Sequence, residues 1–154
     1  MATTGGIDYG VYKRVDVETA SQGKLVVMLF NGAIQRAEEA KRHILARNYP
    51  EAHNKLIQAQ EIITELRSAL DMKAGEIAHN LNRIYEYFQH LLIRANLRKE
   101  TEPIDLCVEL MTEMRDTWQL AFEKAQREQN AGANVPPTPP TPNVHGAAVM
   151  NITG

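Results

Sequence analysis

Residues 75–96 carry a pattern that leaves this chain few folds to choose from. Ile77, Leu81, Ile84, Phe88, Leu91 and Ala95 recur at intervals of four, three, four, three and four, which places them on one face of an α-helix. A second row, Ala78, Tyr85 and Leu92, runs beside the first and widens the stripe. A helix of about six turns with so much apolar surface cannot stand alone in water. It requires neighbouring helices, and a partner wherever the stripe outruns them.

Three more segments read as helix, at about 21–47, 50–72 and 102–129. The second repeats the pattern through Ala52, Leu56, Ala59, Ile63, Leu66 and Leu70, and the fourth through Ile104, Cys107, Met111, Met114, Trp118 and Ala121. The punctuation agrees. Asn48-Tyr49-Pro50-Glu51 supplies a capping residue, a first-turn proline and a glutamate three places after the cap. Thr101-Glu102-Pro103 opens the fourth segment in the same manner. Gly75 is the one glycine between Ala33 and Ala131, and it falls where the second and third helices must reverse. Long helices joined by a few residues favour antiparallel neighbours. The expected fold is all-α, an antiparallel up-and-down four-helix bundle over residues 21–128, behind an extended N-terminal segment, 1–20.

The composition narrows function mainly by exclusion. Every lysine, arginine, aspartate and glutamate lies at or before Glu128, and the net charge is −2. That balance offers no footprint for nucleic acid or an acidic membrane surface. Residues 129–154 contain Pro136-Pro137-Thr138-Pro139-Pro140-Thr141-Pro142, which cannot continue a helix and reads as a disordered, proline-rich tail. No stretch is long and apolar enough for a membrane span. The opening residues lack a secretion signal, and the single cysteine suits a reducing compartment. The expected location is cytoplasmic.

Apolar surface exceeds what a small bundle hides. Leu25-Val26-Val27-Met28-Leu29-Phe30 presents oily side chains on every face of its turns. Either neighbours surround it or the segment Ile7-Asp8-Tyr9-Gly10-Val11-Tyr12 lies over its outer side, tyrosine being suited to such a lid. Further rows at Ile57, Ile62, Ala78, Tyr85, Leu92, Leu106 and Leu110 are either core or a partner surface.

Catalytic chemistry has no foothold. Glu76-Ile77-Ala78-His79 matches the Glu-x-x-His of di-iron bundles, but a second copy is missing and His79 lies far around the helix from Leu81. No metal or other cofactor is expected. Cys107 sits on the apolar row of the fourth helix with no base beside it, as a buried inert thiol does. No phosphate loop or Ser-His-Asp signature occurs.

With these residues in order, the chain resembles the flagellar secretion chaperone family, FliS. The likeness covers about residues 7–125. It begins with Tyr9 and Tyr12, then Thr19-Ala20-Ser21 and the run from Lys24 to Ala33. Ala59, Ile62, Ile63 and Leu66 follow, with Ala69-Leu70-Asp71. The strongest piece joins Gly75-Glu76-Ile77-Ala78, Asn80-Leu81, Ile84-Tyr85, Tyr87, Leu91-Leu92 and Ala95-Asn96, and Trp118 closes the set. Asn31 stands where that family often has an acid.

The resemblance implies a helical bundle without catalytic activity. It also implies a chaperone that holds the C-terminal segment of flagellin, prevents premature polymerisation and delivers it to a membrane protein of the flagellar export gate. On that basis Ile62, Leu66, Ile77, Leu81, Ile84, Tyr85 and Leu92 would line the client surface or support it from beneath. Asn80 and Asn96 would hydrogen-bond helix ends or client backbone, with capping an equal alternative at Asn96. Ile7, Tyr9 and Tyr12 would cover the empty groove or contact the export gate. The alternative is a structural helical protein that associates with itself through the same surplus surface. A monomer or weak dimer is expected without client.

Overall fold

The computed structural model describes Tyr12 and residues 19–133. Helix α1 spans Thr19–Leu45, α2 Tyr49–Ser68, α3 Glu76–Arg98 and α4 Glu102–Ala133. A single 3-10 turn, Met72–Ala74, lies between α2 and α3. Each helix packs on the next, and α4 closes against α1, which makes the four-helix bundle the spacing predicts. Ile7, Tyr9 and the proline run lie outside the described residues.

The turns show how sequence ends each helix. Gly75 has φ 98°, a region open to glycine, and leads straight into α3. Arg47 and Lys99 also adopt positive φ, at 59° and 53°, so both remaining turns close through left-handed residues. Lys99 follows α3 and sends its Nζ back to the Asn96 carbonyl at 2.7 Å, which satisfies a terminal acceptor. The capping box expected at Asn48 does not form. Its side chain makes no cap bond, and Glu51 instead accepts from Asn54 at 3.0 Å. Proline in the first turn suffices to start α2.

Helix α4 continues to Ala133, past the Gln129 end expected from charge and composition. Loss of charge does not stop a helix; the next strong breaker is Pro136.

The core differs from the expected stripe in rotation. On α3 the buried residues are Ala78, Leu81, Tyr85, Phe88, Leu91, Leu92 and Ala95, so the row taken as secondary is wholly buried. Ile77 and Ile84, taken as central, are 42% and 37% exposed. Four of the six stripe residues, Leu81, Phe88, Leu91 and Ala95, do lie in the core, but apolar spacing alone does not fix which flank turns inward. On α1 the run Leu25–Phe30 is not enclosed. Val26 and Phe30 are buried, whereas Leu25 and Met28 are 47% and 58% exposed.

Three of the four seams between helices are latched. Across α1 and α2, Lys55 Nζ lies 3.6 Å from Glu39 Oε1, and Gly32 lets Ile62 approach so closely that an added Cβ would meet Cδ1 at 3.3 Å. Across α1 and α4, Lys41 Nζ donates to Asp105 Oδ1 at 2.7 Å, and Arg115 Nη1 donates to Asn31 Oδ1 at 3.1 Å. Across α2 and α3, Arg67 donates to Asn82 Oδ1 at 3.0 Å and to Gln89 Oε1 at 2.6 Å. Gln89 Nε2 in turn donates to Thr64 Oγ1 at 2.8 Å. The fourth seam, α3 with α4, is open at its outer side.

The Arg115 contact gives Asn31 a purpose. An acid at this position would face a guanidinium, so Asn31→Asp is expected to stabilise the bundle by about 0.5 kcal/mol. A raised urea midpoint at low salt, shrinking as salt is added, is the measurement. An unchanged midpoint would mean that Arg115 is already satisfied by Asp116, 3.0 Å away.

Candidate functional site

Between α3 and α4 lies a groove of about 650 Å³, lined by Asn80, Arg83, Ile84, Tyr87 and Phe88 on one side and Leu110, Glu113, Met114 and Thr117 on the other. Its origin is visible in the periods of the two helices. On α3 the outward flank runs Ile77, Asn80, Ile84, Tyr87 at steps of three, four and three. On α4 it runs Leu106, Leu110, Glu113, Thr117, Leu120 at four, three, four and three. Ile77, Ile84, Tyr87, Leu106 and Leu120 are all exposed, and Leu110 and Met114 are half-buried. Both banks therefore keep the 3-4 repeat with which helices pack on one another, yet no helix of the bundle sits between them. From Ile77 to Arg94 the α3 bank is about 25 Å long at 1.5 Å per residue.

The floor is rigid. Phe88, Tyr85, Trp118, Met111 and Cys107 beneath the banks are fully buried. Cys107 Sγ lies 3.7 Å from the Phe88 carbonyl oxygen, and burial pushes its thiol up to about 12, so no thiolate is available for chemistry.

Tyr12 enters this floor. Its backbone pairs with Leu70 in an isolated antiparallel bridge, and its side chain is 4% exposed. The Tyr12 and Tyr85 hydroxyls share a hydrogen bond of 2.5 Å, and the Tyr12 ring meets the Trp118 ring edge-on at 5.5 Å between centroids. It does not lie over the outer side of Leu25–Phe30. A ring with one hydroxyl needs a partner for that hydroxyl once buried, and Tyr85 supplies it.

The residues expected at a client surface fall in four places. Asn80 and Ile84 line the groove, and Ile77 lies at its end; Arg83 Nη2 donates to Asn80 Oδ1. Leu66, Leu81, Tyr85 and Leu92 are buried, a supporting place rather than a contacting one. Ile62 is half-buried beside Gly32 on the α1/α2 side. Asn96 belongs to the α2/α3 seam, where its amide reaches His53 Nδ1 at 2.9 Å and its Oδ1 accepts from Lys99 Nζ at 2.5 Å. Tyr87, Met114, Thr117, Arg83 and Glu113 are groove residues that the sequence reading did not single out as a site. The 3-4 step of the α4 flank was the signal for Glu113 and Thr117, and that of the α3 flank for Tyr87.

Among the described residues, no helix is long and apolar enough to cross a membrane. The described residues also hold no cluster of three or more histidine, cysteine, aspartate or glutamate side chains fit for a metal.

The family model for the flagellar protein FliS matches residues 6–125. The flagellar secretion chaperone FliS of Vibrio cholerae is 34% identical over 112 residues, covering 70% of this chain and 82% of that one. Its counterpart in Salmonella typhimurium is 32% identical over 136 residues, covering 84% and 99%. That of Bacillus subtilis is 27% identical over 127 residues, covering 82% and 95%.

Proposed function

The chain belongs to the FliS family of flagellar secretion chaperones, proteins that escort rather than catalyse, and on that premise we propose that it receives the C-terminal segment of flagellin in the α3/α4 groove. The segment would bind as an amphipathic helix, its apolar residues entering at i, i+3, i+4 and i+7. While it is so held its apolar face is withheld from other flagellin copies, which prevents premature polymerisation in the cytoplasm. Delivery then follows by transient contact of the loaded chaperone with a membrane protein of the flagellar type III export gate. No nucleotide or metal enters this cycle.

The observation that carries the reading is the open seam: two banks in helix-packing register, largely apolar, with no fifth helix among the described residues to fill them. Ordering a flexible client is costly, and burial of the groove's apolar side chains offsets it at about 25 cal/mol per Å². Ile7 and Tyr9 are assigned to the export-gate contact together with the segment anchored by Tyr12. The test is a titration of the full chain with a peptide of the flagellin C-terminus, read by mass in solution and by methyl NMR. A one-to-one complex that shifts the Ile84 and Leu110 methyls is expected. A homodimer indifferent to the peptide would favour self-association through the same surface.

A further inference from the structure

Charge is unevenly divided between the two banks. On the α3 side the groove is edged by Arg83, which lines it, and by Arg94, seven residues beyond the groove residue Tyr87 and exposed. On the α4 side stand Glu113, which also lines it, and Glu109, one turn before it and exposed. Arg83, Arg94, Glu109 and Glu113 form no ion pair with each other or with any other described residue. The remaining ionised groups nearby do not blur this. Glu86 turns to the other flank of α3, to Arg67 at 3.3 Å, and Asp116 is held by Arg115. Glu76 and Lys124, whose signs are opposite to those of their banks, flank the Ile77 and Leu120 end, outside the residues that line the groove.

We propose that the groove selects the direction of its client helix by this polarity, accepting a helix whose apolar stripe is edged by acidic residues toward α3 and basic residues toward α4. The proposal rests on the helix-in-groove reading above. An apolar stripe alone has little sense of direction, since a 3-4 repeat read backwards is still a 3-4 repeat. The flanks break that symmetry, because turning an α-helix end for end about its buried stripe exchanges the two flanks. In one direction the client's acids meet Arg83 and Arg94 and its bases meet Glu109 and Glu113. In the other, like charges face each other across both edges, which register-setting charges in paired helices penalise. Direction decides which end of the bound segment lies beside the N-terminal end of α3 and the Tyr12 segment, and which end is left outside.

The experiment uses the full chain and two synthetic peptides with one shared apolar heptad stripe. One carries glutamates on one flank and lysines on the other, and the second has these exchanged. Each bears a nitroxide at its N-terminus, and broadening of the Ile77 and Leu106 methyl signals reports which end of the groove the label occupies. The two peptides are expected to broaden opposite ends, each with about a tenfold preference that weakens as salt rises. In the double variant Arg83→Glu with Glu113→Arg, whose sites are exposed, the preference should fall to near even or reverse. Both peptides labelling the same end, or a preference untouched by salt and by the double variant, would overturn the polarity while leaving the groove intact. Absence of binding by either peptide, or binding without any shift at Ile84, would overturn the groove reading and the polarity with it.

Discussion

Tyr85→Glu is expected to abolish the folded bundle, seen as loss of the far-ultraviolet helical signal and of a cooperative urea transition. Tyr85 is fully buried, with Phe30 and Phe88 rings at 6.0 and 6.1 Å and its hydroxyl bonded to Tyr12. A carboxylate there has no cation to pair with and either stays charged in an apolar site or takes up a proton. The cost is at least about 4 kcal/mol, most of what holds a domain of this size together. The milder variants separate the hydroxyls from the rings. Tyr85→Phe leaves the Tyr12 hydroxyl buried without its partner and should cost about 1–2 kcal/mol, whereas removing both hydroxyls together should cost less than either loss alone implies. A Tyr85→Glu protein that kept full helicity but lost its client would return the ring to the docking surface.

The same core sets a limit in alkali. Burial first, and then the neighbouring Tyr85 hydroxyl, raises the ionisation of Tyr12 far above the ordinary tyrosine range. Burial raises Tyr85 to about 12 from 10.0, against the pull of its hydrogen bonds, and Cys107 to about 12 from 9.0. These groups are neutral in the bundle and ionise more readily in the unfolded chain. Their contribution is therefore intact below the unfolded values and is lost as pH climbs through the folded ones. Stability should hold to about pH 9 and then fall, by up to about 1.4 kcal/mol per pH unit for each group. The Tyr12→Phe, Tyr85→Phe double variant should flatten the fall above about pH 10, and an unaltered slope would exclude the pair as its source.

Ile84→Asp carries the second large effect, this time on binding. Ile84 lines the groove and is 37% exposed, so a polar replacement leaves the core untouched and the urea midpoint within about 0.5 kcal/mol of the parent. Against a client helix, the change removes a central apolar contact and sets an unpaired carboxylate in the interface. Central interface residues of this kind cost about 2–4 kcal/mol, or roughly 30- to 1,000-fold in affinity for the flagellin C-terminal peptide. Ile57→Asp is the control. Ile57 is equally exposed but lies on α2, away from the groove, and should change affinity less than threefold. Equal losses at both positions would move the docking surface elsewhere or spread it around the bundle.

How much of this was legible beforehand follows from what periodicity encodes. The number, order and approximate limits of the helices were legible, because a 3-4 repeat interrupted by Gly75, Pro50 and Pro103 admits little else. Which edge of a wide stripe turns inward was not. Ile84 and Tyr85 are neighbours in sequence, both apolar, and differ by about 100° on the helix; only packing against Phe30, Phe88 and Trp118 sends Tyr85 in and Ile84 out. The buried place of Tyr12 had no local signal at all, since its partners stand 73 and 106 positions away. Asn96 likewise has a partner that no local pattern announces, His53 on another helix, beside Lys99 at the end of its own. Apolar residues of both banks stood out, Ile77 and Ile84 on α3 and Leu106 and Leu110 on α4, but not that they face each other, because a seam is a property of two helices and neither sequence names its neighbour.

The seat of Tyr12 has a consequence for the order in which the molecule is made. On the ribosome this tyrosine emerges early, yet Trp118, which forms one wall of its site, is synthesised 106 residues later. Nearest-neighbour helices pair as they appear, whereas the tyrosine must wait for the last of them, since distant contacts are bought only after the intervening chain is fixed. Docking of Tyr12 thus becomes a mark of completion: a nascent or truncated bundle lacking α4 would offer this tyrosine no complete site, and a finished one would seat it.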